Sequence, residues 1–205
     1  MARDAYPYVL IPAVLALGCF YLELPIVAVT LLGSAGFMAF FFRDPEREIP
    51  EDEMAVVSPA DGKIVGVVKL DPTDPASPTR LSIFLSVFDV HINRAPIAGQ
   101  IKDVAFQPGR FRAAFAEAAS VVNEQSIITM EGNRIRLVFK QIAGLLARRI
   151  VFSKRPGDWV AKGERVGLIK FGSRTDVILP PEVEVSVRKG EKVYGGSSII
   201  GRIRS

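Results

Sequence analysis

The chain has 205 residues, 49% of them hydrophobic, with a mean hydropathy of +0.26, which is more apolar than an ordinary soluble domain and far from a disordered one. A single cysteine, Cys19, and a single histidine, His91, exclude a disulfide framework, a Cys-rich zinc site and any multi-histidine metal centre. The formal net charge of +4 and an isoelectric point near 9.3 suit an anionic membrane as well as nucleic acid.

Charge divides the chain in two. Residues 1–42 carry only Arg3, Asp4 and Glu23, so the apolar excess sits there, and residues 43–205 read as one body with room for a single core. Ala5 to Leu22 and Leu24 to Phe42 are uncharged. At about 1.5 Å per residue either segment approaches, as a helix, a hydrocarbon core of about 30 Å. Pro7 and Pro12 weaken the first, which is open to a re-entrant or interfacial reading. A cleaved signal peptide fits less well, because the n-region has one basic residue and the apolar stretch runs too far. The expectation is a retained, membrane-embedded helical hairpin over 1–42. Arg43, Arg47 and Lys63 follow it while only Arg3 precedes it, so the positive-inside tendency puts the body on the cytoplasmic side of the cell membrane.

After Pro50 the pattern becomes short Val- and Ile-rich runs separated by Gly, Pro and Asp: Ala55–Val57, Lys63–Lys69, Leu81–Phe88, Ile101–Phe106, Ile127–Thr129, Ile135–Phe139, Arg149–Phe152, Val166–Phe171, Val177–Leu179, Val183–Val187 and Ser198–Ile203. That spacing predicts a mainly β sandwich or barrel. The exception is Phe111–Asn123, where apolar residues at helical spacing predict a short helix or lid. Val160-Ala-Lys-Gly-Glu-Arg-Val-Gly167 recurs as Val187-Arg-Lys-Gly-Glu-Lys-Val-Tyr-Gly195. Each Lys-Gly-Glu predicts a turn in which glycine takes a positive φ. The two copies resemble the hairpins of the barrel-sandwich hybrid fold of biotinyl and lipoyl carriers. The carriers' modifiable lysine in a Met-Lys-Met tip is missing, which removes most of the case for a carrier.

Three motifs carry chemistry. Ser58-Pro-Ala-Asp61-Gly62 is by turn chemistry an ordinary turn. In Asp89-Val-His91-Ile-Asn-Arg94 the histidine can move protons near neutral pH, or can serve as a hydrogen-bonded structural residue. Phe171-Gly172-Ser173 reads alone as a loop. Together, and in this order, with Phe41-Phe-Arg-Asp-Pro-Glu-Arg47 before them and Asn123-Glu124 between, they resemble the phosphatidylserine decarboxylase family in its short bacterial and archaeal form.

The resemblance implies a lyase with neither metal nor pyridoxal phosphate, whose electrophile is a pyruvoyl group made from Ser173. Ser173 would attack the Gly172 carbonyl, and the chain would part into residues 1–172 and 173–205, which stay associated; a homodimer is also allowed. The substrate amine would then form a Schiff base with the pyruvoyl ketone, and CO₂ would leave a serine phospholipid to give the ethanolamine phospholipid. The partners so implied are that lipid and the bilayer, not nucleic acid. Serine needs a base, and the resemblance assigns that work to Asp61 and a histidine. Longer family members have a second histidine where this chain has Arg94, and arginine cannot act as a base at neutral pH. Either His91 serves both self-cleavage and decarboxylation, which is the reading taken, or Asp61 drives maturation alone. Arg94 is then available to hold a phosphate or carboxylate, and Asn123 to bind substrate. Two alternatives remain: a membrane-anchored, non-enzymatic barrel-sandwich adaptor, and an autoprocessing serine hydrolase, which the lack of a Gly-x-Ser-x-Gly elbow disfavours.

Overall fold

The computed structural model describes residues 5–112, 114, 119–144, 149–170 and 172–204, and it divides into two units, residues 1–46 and 47–205. The first unit holds α1 (Tyr6–Tyr21) and α2 (Pro25–Phe41), which run antiparallel, with Tyr8 near the start of one stacked on Phe42 past the end of the other. The link is a Schellman-type turn. Leu24 N–H donates to Cys19 O and Glu23 N–H to Phe20 O, with Glu23 in the left-handed region at φ 58° where glycine is usual. This turn and Pro25 take the ends off both expected segments and leave helices of 16 and 17 residues. No described helix is long and apolar enough to cross a membrane. Leu10, Ile11, Val14, Leu15 and Leu17 of α1 and Ile26, Val29, Phe37 and Phe40 of α2 remain exposed.

The second unit is mainly β. In chain order it contains β1 (Ala55–Val57), β2 (Gly62–Lys69), β3 (Thr79–Leu85), β4 (Ile92–Arg94), β5 (Gly99–Gln107), α3 (Ala119–Val122), β6 (Gln125–Glu131), β7 (Arg136–Ala143), β8 (Ile150–Phe152), β9 (Trp159–Val160), β10 (Arg165–Ile169), β11 (Ser173–Leu179), β12 (Val183–Val185), β13 (Lys192–Val193) and β14 (Ile199–Ile203). An eight-stranded sheet has the order β13-β2-β3-β11-β7-β6-β5-β9, and two three-stranded sheets have the orders β1-β14-β12 and β4-β10-β8. Every pairing among these strands is antiparallel.

Glycines at both Lys-Gly-Glu turns take the positive φ expected of them, 76° at Gly163 and 100° at Gly190. Of the short helix or lid expected over 111–123, only Ala119–Val122 (α3) is helical among the described residues, and Phe111, Arg112 and Ala114 are not; Ala113 and residues 115–118 lie outside the described residues, as does Phe171 of the Phe-Gly-Ser motif.

Register across the large sheet explains where the site sits. On one face, Leu81 of β3, Val177 of β11 and Phe139 of β7 align in a fully buried apolar row. One step along, the row is Ile83, Thr175, Gln141, and the next is Leu85, Ser173, Ala143. Side chains two apart share a face, so the core face turns polar toward the start of β11. The opposite face of β11 carries a fully buried ion pair. Arg174 Nε donates to Asp176 Oδ1 (2.6 Å), and Nη2 to Asp176 Oδ2 (3.3 Å) and Ser82 Oγ (2.6 Å). Pairing and hydrogen bonding are what make such a burial tolerable.

Candidate active site

Ser173 opens β11 and is fully buried, and its hydroxyl makes no hydrogen bond among the described residues. An unpaired buried hydroxyl costs about 1–3 kcal/mol, so a native structure that keeps one invites a chemical explanation. Gly172, just before it, sits at φ +59°, in the region that only glycine enters without strain. Its carbonyl oxygen is pressed against Gly144, at the end of β7: a Cβ built on Gly144 would lie 2.0 Å from it.

His91, 2% exposed, lies in the loop leading into β4, and its backbone oxygen accepts from Ile169 N–H at 3.2 Å. Its Nδ1 is 2.9 Å from the Asp89 carbonyl oxygen. A carbonyl only accepts, so Nδ1 carries the proton and Nε2 is the basic nitrogen of the neutral ring. The Asp89 backbone oxygen thus orients the ring.

Asp61 is held elsewhere. Gly195 N–H donates to its Oδ1 at 2.8 Å, and Arg47 Nη2 to its Oδ2 at 2.7 Å. Burial pushes the Asp61 carboxyl above its ordinary value, against the pull of Gly195 and Arg47; the charge of Asp89 adds to the rise and Lys192 opposes it. Burial alone would likewise raise Asp89, but its ion pair with Lys192 and the Ser86 N–H and hydroxyl hold it below the ordinary value. Asp61, Asp89, Lys192 and Arg47 therefore form one electrostatic cluster, and His91 is joined to it through the Asp89 backbone.

Asn93 connects this cluster to β11. Its Nδ2 reaches Pro59 O, in the Asp61 loop, at 3.4 Å and Thr175 Oγ1 at 3.3 Å, while its Oδ1 accepts from Gln141 Nε2 at 2.9 Å. Asn93, Thr175, Gln141, Arg47 and Lys192 were not singled out from the sequence as site residues. Asn93 stood inside the Asp-Val-His segment and Arg47 closed the Phe-Phe-Arg-Asp-Pro-Glu-Arg motif; the period of two from Ser173 to Thr175 was the remaining signal.

Two expected substrate contacts are otherwise engaged. Arg94 is 6% exposed and its Nη1 donates to Gly163 O at 3.0 Å, so the guanidinium helps seat the first Lys-Gly-Glu turn. Asn123 is fully buried. Its Nδ2 donates to Arg112 O (2.8 Å) and Ala143 O (2.7 Å), and its Oδ1 accepts from Arg112 N–H (3.0 Å). Both amide protons are spent on backbone, and the residue clamps the 110–112 segment to the end of β7 beside Ser173. Clefts of about 520 and 350 Å³ open elsewhere, one lined by Ile97, Arg134 and Lys162, the other by Arg80, Arg174 and Lys189; neither is lined by Ser173, His91 or Asp61.

Comparison with known proteins gives this geometry a context. A protein named phosphatidylserine decarboxylase proenzyme from Solibacter usitatus is 57% identical over 178 residues, 87% of this chain and 84% of its own length. Proteins of the same name from Carboxydothermus hydrogenoformans and Desulfotalea psychrophila are 48% and 42% identical, covering 82% and 99% of this chain and 80% and 96% of their own. The phosphatidylserine decarboxylase family model matches residues 35–201, a range that takes in Asp61, His91, Gly172 and Ser173 alike, and the chain belongs to that family.

Proposed function

We propose that the chain is a phosphatidylserine decarboxylase proenzyme that cuts itself between Gly172 and Ser173 and uses the pyruvoyl group so made to convert a serine phospholipid to the ethanolamine phospholipid and CO₂. The observation that carries this reading is the scissile peptide itself: a glycine at φ +59° precedes a fully buried serine whose hydroxyl has no partner among the described residues, in a chain whose relatives are named as proenzymes of this activity.

In maturation, Ser173 Oγ attacks the Gly172 carbonyl carbon, the peptide C–N bond breaks, and the proton of the hydroxyl passes to the Ser173 nitrogen, leaving an ester. Removal of the Ser173 α-proton expels Gly172 as a carboxylate. The dehydroalanine so formed takes up water and releases ammonia. His91 Nε2 is the base in these steps, and the Asp61 cluster sets the charge around it. Once present, the pyruvoyl carbonyl supplies the electron sink that a departing CO₂ requires. His91 then delivers the proton that takes the place of CO₂.

The exposed apolar surface of α1 and α2 supports seating that pair in the cell membrane, and Arg43, Arg47 and Lys63 after it against Arg3 before it support a body on the cytoplasmic side, within reach of a lipid that leaves the bilayer only at high cost. The two Lys-Gly-Glu turns, one linking β9 to β10 and the other lying between β12 and β13, support reading the body as a barrel-sandwich hybrid.

The test is mass spectrometry of purified protein beside release of labelled CO₂ from carboxyl-labelled phosphatidylserine in liposomes. Fragments 1–172 and 173–205, the latter blocked at its N-terminus, should accompany CO₂ release, and Ser173→Ala should abolish both. Activity from an intact chain would overturn the maturation chemistry; complete cleavage without CO₂ would overturn the substrate.

A further inference from the structure

Gly144 is buried and directly follows β7, next to Ala143, which pairs with Ser173 across the ladder. A side chain there has nowhere to go. An ideal Cβ on Gly144 would lie 2.0 Å from the Gly172 carbonyl oxygen, 3.0 Å from the Gly172 carbonyl carbon and 3.1 Å from Cβ of Ala114. The Gly172 oxygen therefore occupies the hollow that a missing side chain leaves, and Cβ of Ala114, which is 4% exposed, borders the same hollow. Gly172 itself has, among the described residues, nothing within 4 Å of where its own Cβ would be. Asn123 fixes both walls, through Ala143 O and through the backbone of Arg112, two residues before Ala114.

We propose that Gly144 is a positioning residue for self-cleavage: by lacking a side chain it leaves, against Ala114, the hollow that seats the scissile carbonyl oxygen and so presents the Gly172 carbon to Ser173. This rests on the maturation chemistry given above and adds a determinant to its first step, the transfer of the Gly172 acyl group from nitrogen to oxygen. That oxygen is where negative charge gathers as the tetrahedral carbon forms, so its position before attack governs the barrier. A carbon and an oxygen in ordinary contact stand about 3.3 Å apart, so a methyl group at 144 displaces the carbonyl by about 1.3 Å. A misplacement of about 1 Å in a reacting group costs on the order of 100-fold in rate.

The test follows full-length precursor from cell-free synthesis in detergent, comparing the parent chain with Gly144→Ala. Cleavage at 172–173 is timed by mass spectrometry, and parallel samples are quenched in hydroxylamine, which opens an ester but not a peptide and yields the Gly172 hydroxamate with a chain beginning at a free Ser173. Folding is read separately in a Ser173→Ala background, by hydrogen exchange of β7 and β11. Gly144→Ala is expected to cleave about 100-fold more slowly and to give no hydroxylamine-released fragment at early times, with β7 and β11 as protected as in the parent. Cleavage at the parental rate overturns the proposal, and so does loss of protection in β7 and β11 with Gly144→Ala folded but loosened there. Should Gly144→Ala fail to fold, Ala114→Val, which fills the same hollow from its other wall, decides: normal ester formation in that variant refutes the seat. A parent chain that never cleaves refutes the maturation chemistry itself, a different result from any of these.

Discussion

Asn123 gives the most direct measure of how the site is braced. Its amide makes three hydrogen bonds to backbone, of which the one to Ala143 O is fully buried and the two to Arg112 reach an exposed residue. In Asn123→Ala the Arg112 groups turn to water, so each contributes only its net value of about 0.5–1.5 kcal/mol, while the Ala143 carbonyl is left unpaired at about 1–3 kcal/mol. The sum is about 2–6 kcal/mol. Urea unfolding in mild detergent, with Ser173→Ala in both proteins so that each is one chain, should show a midpoint lower by about 1 M or more, taking a slope of about 2 kcal/mol per M. A clamp also predicts that the small fraction of Asn123→Ala that matures keeps the parental KM. An unchanged midpoint together with a raised KM would refute the clamp and return Asn123 to substrate binding.

Two further results are expected. His91→Ala should remain largely uncleaved, and any matured fraction should turn over about 10²–10⁴-fold more slowly, since one imidazole serves both steps; full cleavage with loss of turnover alone would assign maturation to Asp61. Because burial raises the Asp61 carboxyl, the folded chain keeps that proton at pH values where the unfolded chain, with its ordinary value of 3.8, has lost it. The folded state then binds more protons, and stability from this group falls as pH rises through the window from 3.8 to the folded pKa. Asp61→Asn removes that loss, so thermal unfolding across the window should move the variant's midpoint upward relative to the parent's as pH rises. A difference that moves the opposite way would contradict the assigned direction.

Strands that bury apolar runs were legible in the sequence, and Ala55–Val57 coincides with β1. What escaped was structure made by polar residues. The expected Val177–Leu179 proves to be the last three residues of the seven-residue β11, because Ser173 to Asp176 carry no hydrophobic alternation; their burial depends on partners in β3 and β4, remote in sequence. β4 was invisible for the same reason, with the Asn93 amide satisfied by Gln141, Thr175 and Pro59. The catalytic candidates came from motif order, whereas the network that joins them needs the register of antiparallel ladders, which a one-residue slip would invert. The helix ends were lost to the Schellman-type turn at Glu23, since its left-handed residue is not the glycine that would have announced it.

The middle position of β11 decides what a broken Gly172–Ser173 bond can change. β11 is flanked on both sides by long ladders, to β3 from Ser173 to Leu179 and to β7 from Ser173 to Ile178, and the chain beyond it supplies β12 and β14 to another sheet and β13 to an edge. Withdrawing residues 173–205 would cut the large sheet in half and leave β1 without its neighbour, so the two products separate in covalent structure and not in space. The same placement sets the order of events. Ser173 meets Leu85 and Ala143 only after three distant stretches of chain have zipped together, so under the proposed maturation a cut would require a finished fold, and a misfolded chain would keep its serine.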